Sequence, residues 1–338
     1  MKRLISICLI FCMVLSGCGL TTATVPENSD GLTVHFIDVG QADSILLQCD
    51  GANMLIDGGN REDSDLVVSY LQDQGVEKLD YVVNTHAHED HVGGLPAVLA
   101  VYETTNLWCP VTSYNSRIFE KFCYYADQQD LELVCPEPGS TYPLGSATIT
   151  VLGPVKEYEE TNNTSIILSV DYGETSFLFT GDAEREAETD VLEYGADVKA
   201  DVLKLGHHGS NTSTTYRWLR EVDPEYAIVS CGVDNSYGHP HEEVMSRLRD
   251  AEVEVYRTDM QGHIVCHSDG KNLTFTTQKH ADVTNPLEKT SYFVGNIKSK
   301  KVHRPTCSGL PEESNQVIFD TYEEAVSEGY TPCGRCIG

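Results

Sequence analysis

The chain has 338 residues, and 52 Asp and Glu against 23 Lys and Arg leave a formal net charge of −29. That length accommodates one large domain and a small one. So negative a field repels nucleic acid at long range and excludes polyanion binding by overall charge; chemistry on DNA or RNA would need metal ions and local basic residues.

The N-terminus sets the expected compartment. Lys2 and Arg3 precede an apolar run from Leu4 to Leu15, too short to cross a bilayer as a mature helix and suited to a signal-peptide core. Leu15-Ser16-Gly17-Cys18 then has the form of a bacterial lipobox, in which cleavage before the cysteine frees its amino group and thiol to take up lipid. The expectation is a signal peptide over 1–17, a flexible tether over 18–31, and an exported lipoprotein held to the cell membrane through Cys18.

Downstream, Leu32 to Asp38 predicts a strand, Gly40 a turn, and Ser44 to Cys49 and Asn53 to Ile56 two further strands, stopped by Asp57-Gly58-Gly59. Ser64 caps a helix whose Leu66, Val67, Tyr70 and Leu71 share one face, and Gly75 ends it. Tyr81 to Asn84 is a short buried strand running into Thr85-His86. Ile166 to Asp171 and Phe177 to Thr180 read as a hairpin across Gly173-Glu174, ending at Gly181-Asp182. Helices and short strands then alternate over Ala183 to Tyr194, Asp201 to Leu205, Thr214 to Glu221, Tyr226 to Ser230 and His241 to Asp250. Hairpins followed by such alternation predict a layered α/β domain with mixed sheets over 32–280. Ala281 to Glu288 has linker composition, which places a linker over 281–291 and a separate module over 292–338. Cys49, Cys109, Cys123, Cys135, Cys231 and Cys266 either pair outside the cytoplasm or serve as small buried apolar residues.

The centre of the sequence is His86-Ala87-His88-Glu89-Asp90-His91, three imidazoles and two carboxylates at the end of a buried strand and beside Gly93-Gly94. Imidazole nitrogen and carboxylate oxygen are ligands suited to zinc, manganese or iron. A strand end feeding a loop lets such side chains converge while the backbone stays rigid.

This His-x-His-x-Asp-His pattern, with Asp57-Gly58-Gly59 before it and Thr180-Gly181-Asp182 after it, resembles the metallo-β-lactamase superfamily. The stretches His35 to Ser44, Leu203 to Ser210 and Tyr237 to His241 are similar to the hydrolase domain of the bacterial competence DNA-uptake channel and its free-standing relatives, over about residues 32–278. The resemblance implies an αββα sandwich of two mixed sheets with one or two divalent ions, zinc or manganese. His86 and His88 would hold one ion, Asp90 and His91 the second, Asp182 would bridge them, and His207 would be the last histidine ligand. His208 would point elsewhere if the strand pleat continued, which leaves it a supporting or substrate role. Asp57 matches a carboxylate that orients a ligand histidine, or serves the turn before Gly58. Asn162 and Asn163 stand where many members have a further histidine, and an amide oxygen binds zinc poorly, so the first site is expected to be weak or manganese-filled.

Two divalent ions can lower the pKa of bound water towards ~7 and clamp a phosphodiester for in-line attack. Asp90 belongs to this reacting set. His239 and His241, flanking Pro240, either bind phosphate, protonate the leaving oxygen, or sit on the surface of a helix-start loop. Lys204, Ser210 and Asn211 are candidate phosphate contacts.

At the far end, His303-x-x-x-Cys307 and Cys333-x-x-Cys336 offer three thiolates and one imidazole, a closed structural zinc site that would supply much of a small module's folding energy. Val302 to Cys307 and Gly329 to Cys336 resemble the zinc module of the Ada-type DNA alkylation repair protein, with His303 in place of its first cysteine, so methyl transfer is not implied. Lys298, Lys300, Lys301 and Arg304 form a dense basic cluster, suited to nucleic-acid backbone contact or to a solvated loop.

These features favour a metal-dependent phosphodiesterase, a nuclease degrading DNA at the cell surface. The alternatives are a hydrolase of another surface phosphodiester such as phosphorylcholine, or of a lactam or thioester, and a non-catalytic binding protein on the same fold. No protein partner is implied. Cys18→Ala is expected to release the protein from membranes or leave the precursor uncut, read by membrane partition and N-terminal mass; soluble wild type with Met1 intact would refute the anchor.

Overall fold

The computed structural model describes residues 31–280, 292–305, 307, 309–319 and 321–337. The expected signal peptide, Cys18 and all but the last residue of the tether lie outside the described residues, as does the linker over 281–291.

Strand alternation builds the core. Leu32–Phe36 turns Leu32, Val34 and Phe36 to one side and Thr33 and His35 to the other, as a period of two requires. It lies in an eight-stranded mixed sheet with Ile45–Cys49, Ala52–Ile56, Leu79–Val83, Thr104–Trp108 and Ile264–Ser268, among others. A seven-stranded sheet contains Ala147–Gly153, Ile167–Tyr172, Thr175–Phe179, Val202–Lys204, Tyr226–Val229 and Glu254–Arg257. The inner faces meet in one apolar layer through Phe36, Leu47, Met54, Ile149, Val170 and Phe177, all fully buried. Each such side chain contributes about 1.5–3 kcal/mol.

Outward residues of the first sheet, Leu46, Leu55 and Val82, pack on helices Ser64–Asp73, Leu95–Val101 and Arg117–Gln128 through Val67, Val98 and Phe122. Those of the second, Leu178, Leu203 and Ala227, pack on Arg185–Tyr194, Tyr216–Val222 and Glu242–Asp250 through Val191, Trp218 and Leu248. The layers are αββα, as expected. Between 95 and 160 the sequence reading assigns no element. The apolar positions there are interleaved with charge, and Arg117–Gln128 buries only Ile118, Phe119, Phe122 and Ala126.

Parallel pairing gathers the strand ends. Ala52–Ile56 runs parallel to Leu79–Val83, while Thr175–Phe179, Val202–Lys204 and Tyr226–Val229 run parallel in series. Their C-terminal ends deliver Asp57, His86, Asp182, His207-His208 and Ser230 to one edge of the sandwich, the edge at which open α/β sheets bind ligands. The described cysteines are all unpaired, and Cys49, Cys109, Cys231 and Cys266 are buried among apolar residues.

The C-terminal segment forms a four-stranded sheet in the order Gln316–Phe319, Phe293–Asn296, Lys301–His303, Thr331–Pro332 over a core of Phe293, Val302, Phe319 and Tyr330. It is docked on the sandwich. Ile337 O accepts from Tyr216 N at 3.2 Å, and Arg185 Nη1 donates to Gly334 O. Of the expected basic cluster, Lys298, Lys300 and Lys301 are exposed and Arg304 alone is drawn inward. Arg304 follows a strand whose Val302 and His303 are buried, and it continues inward, fully covered, with its guanidinium on Ser246 Oγ at 3.1 Å and on the Asp250 carboxylate. Lys300 Nζ sits 4.3 Å over the Tyr330 ring, and Lys301 Nζ donates to Pro332 O at 3.2 Å.

His35 makes acid stability testable. It is buried beside Tyr70 Oη at 3.1 Å, and burial, with His263 nearby, lowers its pKa from 6.5 to about 4. An unfolded histidine takes up its proton near 6.5, so between about 6.5 and 4 the folded state binds fewer protons. The contribution to stability is complete above pH 6.5 and is lost as pH falls towards 4, by up to ~3 kcal/mol. His35→Gln is expected to shrink the drop in urea midpoint between pH 7 and pH 5; an undiminished drop would place the acid sensitivity elsewhere.

Candidate metal centre

Asp57 leaves its strand at φ 58°, a left-handed conformation that aspartate tolerates. Its carboxylate thereby accepts from Thr85 N at 2.7 Å, Thr85 Oγ1 at 2.6 Å and His91 Nδ1 at 2.8 Å. That bond turns His91 Nε2 towards the site. The glycine pairs explain how the helical turn Glu89–Val92 comes so close. A Cβ on Gly94 would lie 2.1 Å from Gly58 O, and Gly58 N donates to His91 O at 2.7 Å.

Asp182 is the hub. Its Oδ2 lies 3.4 Å from His91 Nε2, 3.6 Å from His208 Nε2, and 3.8 Å from both His86 Nε2 and His207 Nε2. Asp90 Oδ2 is 3.3 Å from His208 Nε2 and 3.8 Å from His91 Nε2, and His88 Nδ1 is 3.1 Å from His86 Nε2. Such separations suit ligands that share an ion with bonds of ~2.0–2.2 Å. Asp90, His91, Asp182 and His208 form one compact four-donor group. Among the described residues His91 Nε2 and Asp182 Oδ1 are buried with no hydrogen-bond partner, as donors awaiting a cation would be. The donor set fits zinc or manganese.

The electrostatics agree. Burial opposes charge on His91, but Asp182, Asp57 and Asp90 raise its pKa well above the ordinary range. Burial likewise opposes charge on His208, yet Asp182 and Asp43 raise it to about 10. Against burial, His91 and His208 hold Asp182 well below the usual carboxylate range, and His91 with the His208 hydrogen bond holds Asp90 at about 2. His86 goes the other way, pushed well below 6.5 by burial and by His91. Cation binding must therefore displace protons from His91 and His208.

His208, expected to point away, joins His207 at the centre. The pleat does not continue past Lys204. Gly206–Gly209 is a tight turn in which His207, at φ 49°, and His208, at φ 53°, are both left-handed, a strained pair for residues with a Cβ. The turn sends His208 inward, where Nδ1 donates to Ser230 O at 3.0 Å and Nε2 faces Asp90 and Asp182. His207 stays on the rim, a quarter exposed, with Nδ1 3.2 Å from Glu184 Oε1 and 3.1 Å from Thr212 Oγ1.

Other expected contacts also move. Lys204 is buried and donates to Asp43 Oδ2 at 2.8 Å and Leu205 O at 3.0 Å, so it is an internal ion pair and not a phosphate contact. Asn163 is buried, and its Oδ1 accepts from Glu184 N at 3.0 Å. Asn162 Nδ2 donates to Glu184 Oε1 at 3.2 Å. Ser210 Oγ bonds Thr212 Oγ1 at 3.0 Å. His241 engages both nitrogens with backbone: Nδ1 accepts from Asn211 N at 3.0 Å and Nε2 donates to Tyr237 O at 3.2 Å, so neither is free to protonate a leaving group. His239 is better placed. Gly232 N fixes Gln41 Oε1 at 3.1 Å, and Gln41 Nε2 donates to His239 Nδ1 at 3.2 Å, which puts the ring proton on Nε2. Burial, with His241 next to it, lowers the His239 pKa to about 4, so the ring is a neutral donor at physiological pH.

Asp43 is a residue the sequence reading passed over. It pairs with Lys204, lies 3.5 Å from His208 Nδ1 through Oδ1, and its N–H donates to Asp90 O at 3.1 Å. Its signal is a lone acid flanked by buried Ala42 and Ser44. Beside the centre opens a cleft of about 610 Å³ lined by Asp38, Glu62, Asp63, Glu89, Asp90 and Tyr237. In the C-terminal module His303, Cys307, Cys333 and Cys336 are buried with ligand atoms within 4.8 Å of one another, a set that fits zinc.

A sandwich of this kind, with imidazoles gathered around a buried carboxylate at its strand ends, is the arrangement of a metal-dependent hydrolase. Residues 37–233 match the metallo-beta-lactamase superfamily, and the chain belongs to it. Residues 279–337 match the metal binding domain of Ada. The chain is 30% identical over 274 residues to ComE operon protein 3 of Bacillus subtilis (strain 168), covering 75% of this chain and 35% of that protein. It is 31% identical over 246 residues to competence protein ComA of Neisseria gonorrhoeae, covering 70% and 32%. The chain thus spans about a third of the length of these relatives. Among solved structures, the metallo-beta-lactamase fold protein YhfI from Bacillus subtilis shares the fold, with a TM-score of 0.50 and 15% identity over 71% of this chain and 100% of that one.

His208→Ala is expected to remove about one equivalent of metal from the hydrolase centre, and His207→Ala less, by elemental analysis of the purified full chain. Equal losses would return His207 to the second site. Because protons on His91 and His208 compete with the cation, affinity in wild type should rise from pH 6 to pH 8.

Proposed function

We propose that the chain is a metal-dependent phosphodiesterase acting on DNA outside the cytoplasm, attached to the membrane by lipid on Cys18. The observation that carries this reading is Asp182 Oδ2 set 3.4–3.8 Å from four imidazole nitrogens, an arrangement suited to two bridged divalent ions. His86 and His88 would hold one ion, Asp90, His91 and His208 the other, and His207 would supply the donor that Asn163 does not. When bound, such ions activate water and polarise phosphoryl oxygens. Asp57 and Asp43 hold the ligand imidazoles in orientation, and His239 Nε2–H is placed to donate to a phosphoryl or leaving oxygen. The names of the competence relatives support DNA as the substrate class. No helix among the described residues is long and apolar enough to cross a membrane; the anchor rests on the lipobox sequence.

A second reading comes from the cleft. Five carboxylates beside Tyr237 favour a phosphodiester with a cationic substituent, such as a phosphorylcholine ester, over a polyanion.

Incubating the protein with single- and double-stranded DNA and with a chromogenic phosphorylcholine ester, each with manganese or zinc, separates the two. Asp182→Ala is expected to abolish both metal retention and turnover. His239→Ala should keep metal and lose about 10²–10³-fold in rate, as for a lost transition-state hydrogen-bond donor. Turnover of the choline ester without DNA cleavage would install the second reading, and full activity of Asp182→Ala would overturn both.

A further inference from the structure

Three arginines converge where the C-terminal module meets the sandwich. Arg304 and Arg247 are fully buried, and Arg185 is partly buried. Arg304 reaches out of the module: its Nη1 meets Ser246 Oγ and Asp250, and its guanidinium lies between the rings of Tyr216, at 5.7 Å, and Phe293, at 5.8 Å. Arg185 reaches the other way, to Gly334 O inside Cys333-x-x-Cys336. Arg247 Nη1 donates to Ser213 O at 3.1 Å and Thr214 O at 2.8 Å, while Glu188 accepts from Thr214 N and from Thr215 N, the latter at 3.0 Å. Arg185 N donates to Thr212 O at 3.0 Å. The loop 212–215, which begins four residues after His208, is thus held in part by these groups.

Arg304 is paired with Asp250, and Arg185 is open to water on one side, but Arg247 is fully buried with no ion pair among the described residues: its Nη1 serves backbone carbonyls, its Nε and Nη2 have no partner there, and Glu188 is turned to Thr214 N and Thr215 N. A buried guanidinium so placed is destabilising. The missing negative charge stands at the zinc-type site. Three cysteinates and a neutral imidazole around a divalent ion carry one net negative charge, and Cys336 is in direct contact: its Sγ accepts from Arg304 N at 3.4 Å and its O from Arg304 Nε at 3.2 Å. Arg247 agrees with this picture: burial lowers its pKa to about 10, Arg304 and Arg185 push in the same direction, and Glu188 and Cys336 oppose them.

We propose that the metal-loaded C-terminal site is the counter-ion of the Arg185–Arg247–Arg304 group and so acts as a removable clamp on the 212–215 loop behind the hydrolase centre. The module is then a positioning part of the hydrolase, engaged when its site is filled and slack when it is empty. The inference is independent of substrate, because it concerns what holds the wall of the centre.

Hydrogen exchange of the full chain tests it, with manganese affinity at the hydrolase centre measured in parallel by chelator competition. Cys336→Ser, which empties the C-terminal site, and Arg304→Gln, which breaks the bridge, are each expected to speed amide exchange at 212–216 about tenfold and to weaken manganese binding. Their effects should overlap rather than add in the double variant, and Arg304→Lys, which keeps the charge, should recover part of the protection. Unchanged exchange at 212–216 in Cys336→Ser, with disturbance confined to residues beyond 292, would overturn the proposal. So would equal losses in Arg304→Lys and Arg304→Gln, since shape and not charge would then carry the contact.

Discussion

A single carboxylate oxygen organises the catalytic edge of this molecule. Asp182 Oδ2 faces imidazoles from the Glu89–Val92 turn, from the end of Leu79–Val83 and from the turn after Val202–Lys204, so it is the point at which both sheets answer to one charge. A buried, ionised aspartate is tolerable only with such compensation. Parallel pairing in both sheets is what makes the convergence geometrically available, because it aims several strand ends at the same edge. The outer features then read as supports: Asp57 orients His91, Asp43 stands behind His208, and the Gly58–Gly94 approach lets the Glu89–Val92 turn close in.

How legible each part was in the sequence depended on how local its cause is. His86, His88, Asp90 and His91 lie within one strand end and turn, so type and spacing were enough to nominate them. The layered fold followed from period-two strands and apolar helix faces. The choice between His207 and His208 was not legible, because it turns on two consecutive left-handed residues that no periodicity announces. Lys204 read as a phosphate contact because its partner Asp43 lies 161 positions away. Arg304 read as part of a basic surface for the same reason, with Asp250 54 positions back. His241 carried the right residue type and lacked only a free nitrogen, which depends on Asn211 N and Tyr237 O. Burial and long-range pairing decide such cases, and neither is written in nearest neighbours.

The docked module changes how the acidic composition is understood. Arg304 is drawn inward, Lys300 and Lys301 lie on the module's own Tyr330 ring and Pro332 carbonyl, and the cleft beside the metal centre is lined by carboxylates. Positive charge at the reacting edge would come chiefly from cations bound there, which makes attraction of any anionic substrate conditional on metal loading.

The two donor sets also differ in softness, and the chain must fill both from one supply. The thiolates of Cys307, Cys333 and Cys336 would hold zinc far better than manganese, whereas the mixed imidazole and carboxylate set around Asp182 suits either. In a zinc-poor medium the C-terminal site therefore draws zinc first and leaves the hydrolase centre to whichever harder cation is abundant. Two sites of unequal softness on one chain would thus take different metals from the same surroundings.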